Sequence, residues 1–474
     1  MRVGDCSRSL VLGAMLAAAC VHAVGAQSLD AATVRRIDSV FARFTPETPG
    51  CAAGVYQNGR VLFAKGYGSA NIEYSVPITP QTPFIMGSVS KQFTAAAIAL
   101  LVQDGRIRLD DDVHKYVPEL PDYGKKITID QLVHHTSGVR DFWSLVDASG
   151  MRQDDGYTVA DVVKLASRQQ HLNFDPGAEY NYSNTGYVLL GVIVQRASGK
   201  SLREFAAERI FRPLGMTVSH FHDDHTQPVR GRAIAYSPLS GGGGGGGWKI
   251  NVWNNDIVGQ GGLMTTLEEL QKWDENFYTG TVGGRTLLSR QLERGVLNDG
   301  KQIAYAFGLE IGEYRGLPMV EHSGSTGGYR SDITRFPEQH TSLATICNVS
   351  NADAVGLAHR MADVVLGSRF TKPATANVRG AGQVTAPAIA LTQSERAAMT
   401  GRFYSPELDA TYELRDAGDA LIVVRARAVD TLRALDRQTF RGSGYTLHFA
   451  ASNGAPTFTL DAGRIRGIEF TRSK

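Results

Sequence analysis

From Ala31 to Phe44, Val34, Ile37, Val40, Phe41 and Phe44 recur three or four residues apart, so the pattern predicts an amphipathic helix. Gly54 to Tyr74 reads instead as short strands punctuated by Asn58-Gly59 and Gly66. Ser88 to Gln103 returns to helical spacing through Val89, Phe93, Ala96, Ala97, Leu100 and Leu101, with so few polar residues that burial on most sides is expected. Asp104-Gly105 closes it. Helical pattern recurs at Val159–Ser167, Tyr187–Ser198, Leu202–Ile210 and Thr266–Phe277. Strand pattern follows near Phe307–Gly312, Met319–His322, Ser331–Phe336 and Ser342–Val349, before an amphipathic helix from Asp353 to Leu366. Strands at both ends with helices between predict an α/β or α+β unit whose sheet is completed by its last strands.

The texture then changes. Lys372 to Ala390 is rich in Pro, Ala, Gly and Thr without a period, the mark of a linker. Beyond it lie short β-type runs at Thr411–Leu414, Leu421–Arg425, Tyr445–Phe449, Thr457–Leu460 and Ile465–Phe470. They predict a small antiparallel barrel or sandwich of about 80 residues. The expected division is a main unit at 27–370, a linker at 371–394 and a small β domain at 395–474. The seven-glycine run Gly241–Gly247 is costly to order and reads as a surface loop, either near a substrate entrance or a neutral insertion.

With 474 residues, two or three folding units are expected. The charge balance, 49 basic against 47 acidic residues, makes no case for nucleic acid or an anionic membrane, leaving a neutral or modestly charged substrate as the default. Arg2 and Arg8, the apolar run Leu10–Val21 and the small residues Val24-Gly25-Ala26 predict a secretory signal over 1–26 and hence a periplasmic or secreted protein. The apolar run is shorter than the roughly 20 residues of a membrane span. Leu16-Ala17-Ala18-Ala19-Cys20 also fits a lipoprotein box, so a lipid anchor on Cys20 ranks second. Cys51 and Cys347 remain in the mature chain, and an oxidising compartment permits either a disulfide or two buried thiols.

Three stretches carry candidate chemistry. Ser88-Val-Ser-Lys91 sets a hydroxyl and an amine nearly one helical turn apart, on one face. A serine hydroxyl needs a base to become a nucleophile, and burial at a helix N-terminus disfavours the ammonium form of Lys91. Tyr182-Ser-Asn184 precedes a helix: the phenol can relay a proton and the amide bind a substrate amide, or Tyr182 packs on the helix start with Asn184 as its cap. Glu321-His322-Ser323-Gly324-Ser325 ends a strand in small residues against which a flat acyl group can lie. The Ser325 and Ser88 N–H groups together offer an oxyanion hole, and His322 can position substrate or stabilise charge.

The order Ser-x-x-Lys, Tyr-x-Asn, His-x-Gly resembles the serine beta-lactamase and penicillin-binding protein superfamily, in the branch of class C beta-lactamases, D-aminopeptidases and related esterases. Gln103–Asp111, Leu132-Val-His-His-Thr-Ser-Gly138 and Ile210-Phe-Arg-Pro-Leu-Gly-Met216 look like that branch too, and the resemblance runs from about Ile37 to Leu366. It implies an antiparallel sheet flanked by helices, an all-helical lobe and a cleft between them. It also implies an acyl-enzyme on Ser88, hydrolysed by water without metal or cofactor, from a small-molecule or peptide substrate with an amide or ester carbonyl. The lysine usual at the start of the third motif is His322 here, charged only part of the time near neutral pH, which ranks peptidase or esterase activity above penicillin hydrolysis. The tail from Gly401 to Phe470 resembles the small lipocalin-like domain appended to some peptidases of this branch, implying gating or oligomer contacts.

Other clusters are assigned structural roles. His220, His222, Asp224 and His225 suit zinc by type but are packed too closely to wrap one ion, so no metal site is expected. His134-His135 reads as support beside the helical lobe, and Ser90 as a packing or hydrogen-bonding residue. Three functions compete: peptide, amide or ester hydrolysis; a class C-type beta-lactamase or D-alanyl-D-alanine carboxypeptidase; and an inactive cell-wall or peptide-binding protein. The intact Ser88, Lys91 and Tyr182 set favours catalysis.

Overall fold

The computed structural model describes residue 1 and residues 28–239, 246–373, 389–450 and 456–473. The expected signal over 1–26 with Cys20, most of the linker, and the first five residues of the glycine run lie outside the described residues beyond Met1. Six strands from both ends of the first unit form one antiparallel sheet: β1 (Cys51–Gln57), β2 (Arg60–Tyr67), β3 (Glu310–Tyr314), β4 (Leu317–Thr326), β5 (Tyr329–Phe336) and β6 (Thr341–Cys347). Their spatial order is β3-β4-β5-β6-β1-β2. The β1–β6 pairing sets Cys51 opposite Cys347, and the two form a disulfide.

Alternation assigns the two faces. Cys51, Ala53 and Val55 of β1 pack with Ile37 and Phe41 of α1 (Ala31–Phe41), and with Leu357 and Met361 of a helix at Ala354–Leu366. Ala52 and Tyr56 point the other way, into the core with α2 (Lys91–Gln103), α4 (Asn184–Ser198) and α5 (Leu267–Thr279). Between α2 and α4 in the chain lies α3 (Phe142–Ser149). Every residue of α2 from Lys91 to Leu101 is buried, as its sparse polarity predicts. Apolar burial on all sides fixes this helix, and the side chains at its start are fixed with it.

Residues Gly401 to Arg472 close into an eight-stranded antiparallel barrel, the first strand Gly401–Ser405 pairing with the last, Ile465–Arg472. Strands Gly401–Ser405, Ala428–Ala434 and Thr439–Arg441 were not legible as such, because their polar outward positions and short runs dilute the alternation. Phe403, Tyr412, Phe440, Phe449, Phe458 and Phe470 fill the interior, with Phe458 and Phe470 stacked 4.7 Å apart. This interior is a packed core. The barrel docks on the first unit through buried Arg140 and Glu407, each 1% exposed by side chain, and through Tyr412, whose hydroxyl donates to the Ala148 carbonyl at 2.7 Å.

Several boundaries differ from the periodicity. The Leu202–Ile210 helix becomes a π turn at Ala207–Phe211. The first of the late strands starts at Glu310 rather than Phe307, since Ala306 to Gly308 make a tight turn closed by the Gly308 N–H to the Ala306 carbonyl.

Candidate active site

Gly87 to Ser90 form a 3₁₀ turn that runs directly into α2, so Ser88 and Lys91 share one face across the junction. Gly87 has φ +53°, and a Cβ there would lie 2.8 Å from the Ser325 nitrogen. Only glycine lets the turn before Ser88 approach β4 this closely. Ser90 has the hydrogen-bonding role expected: its hydroxyl donates to the Gly87 carbonyl at 2.6 Å and accepts from the Leu263 N–H at 3.0 Å.

Lys91 is fully buried, and its amine has three partners: the Ser88 hydroxyl at 3.0 Å, Asn184 Oδ1 at 2.9 Å and the Gln260 carbonyl at 2.6 Å. The last two can only accept. A neutral amine spends both N–H groups on them and is left with its lone pair for the Ser88 O–H. Burial holds the Lys91 pKa well below that of a free lysine; Asp141 partly opposes this and Arg464 adds to it. Burial thereby favours the neutral amine, and the two acceptors aim it.

Asn184 is the first residue of α4 rather than its cap. Ser183 caps the helix by accepting from the Gly186 N–H, which leaves the Asn184 amide free to face Lys91. Tyr182 lines the same cleft as Ser88, and its ring lies 4.8 Å from the Lys91 amine. Burial pushes the Tyr182 phenol well above its usual pKa, so it keeps its proton.

His322 sits on β4 and is 3% exposed. Its Nδ1–H donates to the Ser323 carbonyl at 2.7 Å, so Nε2 accepts from the Tyr305 hydroxyl at 3.0 Å. Burial, then Lys91, lowers its pKa to about 3. The expectation of a histidine charged part of the time is corrected: the ring is neutral and both nitrogens are occupied. Gly324 has no room for a side chain, because a Cβ would lie 2.0 Å from the Met86 carbonyl oxygen.

His135 gives its structural support directly behind the cleft. It is buried with its ring 4.2 Å from Tyr182 and 4.5 Å from Tyr305, and its Nδ1 accepts from the Ser183 N–H at 3.1 Å. It therefore helps fix Tyr182. His134 is structural, bonded to the Asp130 and Glu293 carbonyls. His220 and His222 pair with each other, while Asp224 and His225 turn toward Asp256; none of these five lines the cleft.

Ser88, Tyr182, Asn184, His322 and Ser325 line one cleft of about 790 Å³, with Gln260 at its base and Trp143, Tyr180 and Trp253 on its walls. Arg464 of the barrel enters this cleft and lies 4.7 Å over the Tyr182 ring. Arg464, Gln260 and Asp141 were missed in the sequence because they come from remote segments. The Gly259-Gln-Gly-Gly262 cluster was the one local signal for Gln260, marking backbone held close to other groups.

A family model described as Beta-lactamase matches residues 37–366. A D-aminopeptidase from Gluconobacter oxydans (strain 621H) is 29% identical over 315 residues, 66% of this chain and 58% of that protein. The chain thus spans under two thirds of the length of that relative. Penicillin-binding protein 4* of Bacillus subtilis (strain 168) is 28% identical over 306 residues, covering 62% of this chain and 66% of that protein. Among solved structures, an octameric penicillin-binding protein homologue from Pyrococcus abyssi superposes with TM-score 0.61 at 23% identity, covering 93% of this chain and 97% of that one. A D-amino acid amidase from Ochrobactrum anthropi SV3 superposes with TM-score 0.59 at 23% identity, covering 71% and 99%. At these identities the superpositions bear on the fold alone.

Proposed function

This chain belongs to the beta-lactamase family, as a serine hydrolase of that type, and from that premise we propose that it is exported and cleaves peptide or amide bonds, or esters, through an acyl-enzyme on Ser88. The observation that carries the reading is the buried Lys91 amine held within hydrogen-bond distance of Ser88 by its two acceptors, Asn184 and the Gln260 carbonyl. In acylation Ser88 Oγ attacks the carbonyl carbon while its proton passes to Lys91 Nζ. The N–H groups of Ser88 and Ser325 take the developing oxyanion. The C–N or C–O bond then breaks as the Tyr182 phenol gives its proton to the leaving group and regains one from Lys91. Water repeats the sequence on the acyl-enzyme and releases the acid. Lys91 is the base and Tyr182 the donor, which follows from the opposite directions of their pKa shifts.

The substrate class follows from the cleft. With His322 neutral, β4 offers no cation at that position to a substrate carboxylate, which favours peptidase or esterase action over beta-lactam turnover. The cations lining the cleft are Arg330 and Arg464, so a peptide whose carboxylate reaches the barrel side is the leading substrate. The name of the Gluconobacter oxydans relative, a D-aminopeptidase, favours peptide over ester substrates. The Cys51–Cys347 disulfide supports export, since such bonds persist in oxidising compartments.

The test is a panel of D- and L-aminoacyl amides, dipeptides, p-nitrophenyl esters and nitrocefin with purified protein. The reading expects the D-aminoacyl substrates and esters to turn over with kcat/KM well above nitrocefin. A preference for nitrocefin would move the beta-lactamase alternative to the front, and no turnover of any substrate would favour a binding protein.

A further inference from the structure

Asp141 caps α3 by accepting from the Ser144 N–H at 3.2 Å through Oδ1, yet its other oxygen turns away from that helix. Oδ2 accepts from the Asn184 backbone N–H at 2.7 Å and from Asn184 Nδ2 at 2.8 Å. The carboxylate is 1% exposed. The Asn184 amide thus stands between a carboxylate on one side and the Lys91 amine on the other. Only one orientation avoids pairing acceptor with acceptor and donor with donor: nitrogen to Asp141, oxygen to Lys91.

We propose that Asp141 is a positioning residue for the hydrolytic reaction: by fixing the Asn184 amide it directs the Lys91 lone pair at Ser88. The inference rests on the reading of Lys91 as the base. Without Asp141 the Asn184 amide can flip and present Nδ2 to Lys91, where it accepts nothing. One N–H of the amine then loses its acceptor and competes for the Ser88 oxygen, and the lone pair swings away from the Ser88 proton.

The segment that carries Asp141 is held from both sides. Thr185 Oγ1 donates to the Arg140 carbonyl at 2.7 Å and accepts from the Phe142 N–H at 2.8 Å. The Arg140 guanidinium reaches into the barrel, to Glu407 and to the Arg466 carbonyl at 2.7 Å. Barrel docking and amide orientation therefore meet in residues 140–142.

The experiment compares acylation of full-length wild type, Asp141→Asn, Asp141→Glu, Lys91→Ala, Asn184→Ala and the double variant Asp141→Asn/Asn184→Ala, using p-nitrophenyl acetate across pH. A lost hydrogen bond to a charged group predicts a fall in acylation rate of about 10- to 100-fold in Asp141→Asn, with KM little changed. Adding Asp141→Asn to Asn184→Ala should cost less than about threefold more, because the two act as one unit.

The groups facing Lys91 are Asp141 and Arg464, with His135, His322, Tyr182 and Tyr187 around them. Asp141 favours the ammonium, so in Asp141→Asn the acid limb of the rate moves to lower pH. In Asp141→Glu, which keeps the charge but displaces it, the limb stays and the rate falls. A cap alone would change stability and leave the limb in place. Wild-type acylation and an unmoved limb in folded Asp141→Asn would overturn the inference. If Asp141→Asn does not fold, wild-type acylation in Asp141→Glu does the same. Retained activity in Lys91→Ala would instead overturn the base assignment itself.

Discussion

Placing a methyl group at Gly324 tests how closely the nucleophile turn must approach β4. In Gly324→Ala the new Cβ would stand 2.0 Å from the Met86 carbonyl oxygen, 3.1 Å from its carbon and 2.3 Å from Ser331 Oγ. Non-bonded heavy atoms pack best near 3.5–4.0 Å, so the two segments must part by at least about 1 Å. Met86 cannot simply yield, because its N–H donates to the Leu263 carbonyl at 2.8 Å and its oxygen accepts from Ser331 at 2.6 Å. Ser88 follows Met86 by two residues, so the displacement separates the Ser88 N–H and hydroxyl from the Ser325 side of the cleft. A misplacement of about 1 Å costs roughly 100-fold in rate, and overpacking destabilises by about 1–3 kcal/mol. The assay is the second-order rate constant for fluorophosphonate labelling, with near-ultraviolet circular dichroism to confirm packing. Labelling within about threefold of wild type, in a folded protein, would refute the close-approach argument.

Three further outcomes follow from the interface, the buried imidazoles and the barrel cation. Glu407→Gln leaves the buried Arg140 charge without its partner and should destabilise the barrel contact by about 3–5 kcal/mol, read by hydrogen exchange of residues 401–472. His322 and His135 resist protonation when folded but take protons near pH 6.5 when unfolded. Their contribution to stability is therefore complete above about pH 6.5 and lost as pH falls toward 3; His322→Gln should flatten that slope in urea titrations. Arg464→Ala should lower kcat/KM for peptides bearing a free carboxylate by about 10- to 100-fold, a larger loss than for p-nitrophenyl acetate, which carries no carboxylate.

What was legible in the chain follows the range of the interactions that fix it. The buried helix from Lys91 and the strands around it declare themselves through local apolar spacing, and Ser88–Lys91 through their separation of three. Asn184 was visible as a motif residue, but its place inside α4 depends on which neighbour, Ser183, closes the first turn. Gln260, Asp141 and Arg464 reach the site from segments far apart in the chain, and no periodicity links them. The neutral state of His322 depends on burial that only the folded sheet supplies and on Lys91, brought beside it from a distant helix. Three barrel strands escaped because polar outward positions dilute their alternation, and one of them, Thr439–Arg441, is too short to separate from a turn.

Hydrolysis by this protein requires an activated serine at position 88. Intact-mass spectrometry after a fluorophosphonate probe, on wild type beside Ser88→Ala and Lys91→Ala, measures this directly. One adduct on wild type, none on Ser88→Ala and little on Lys91→Ala is the predicted result. A folded wild-type protein that takes no adduct, or one whose adduct persists in Ser88→Ala, would contradict it.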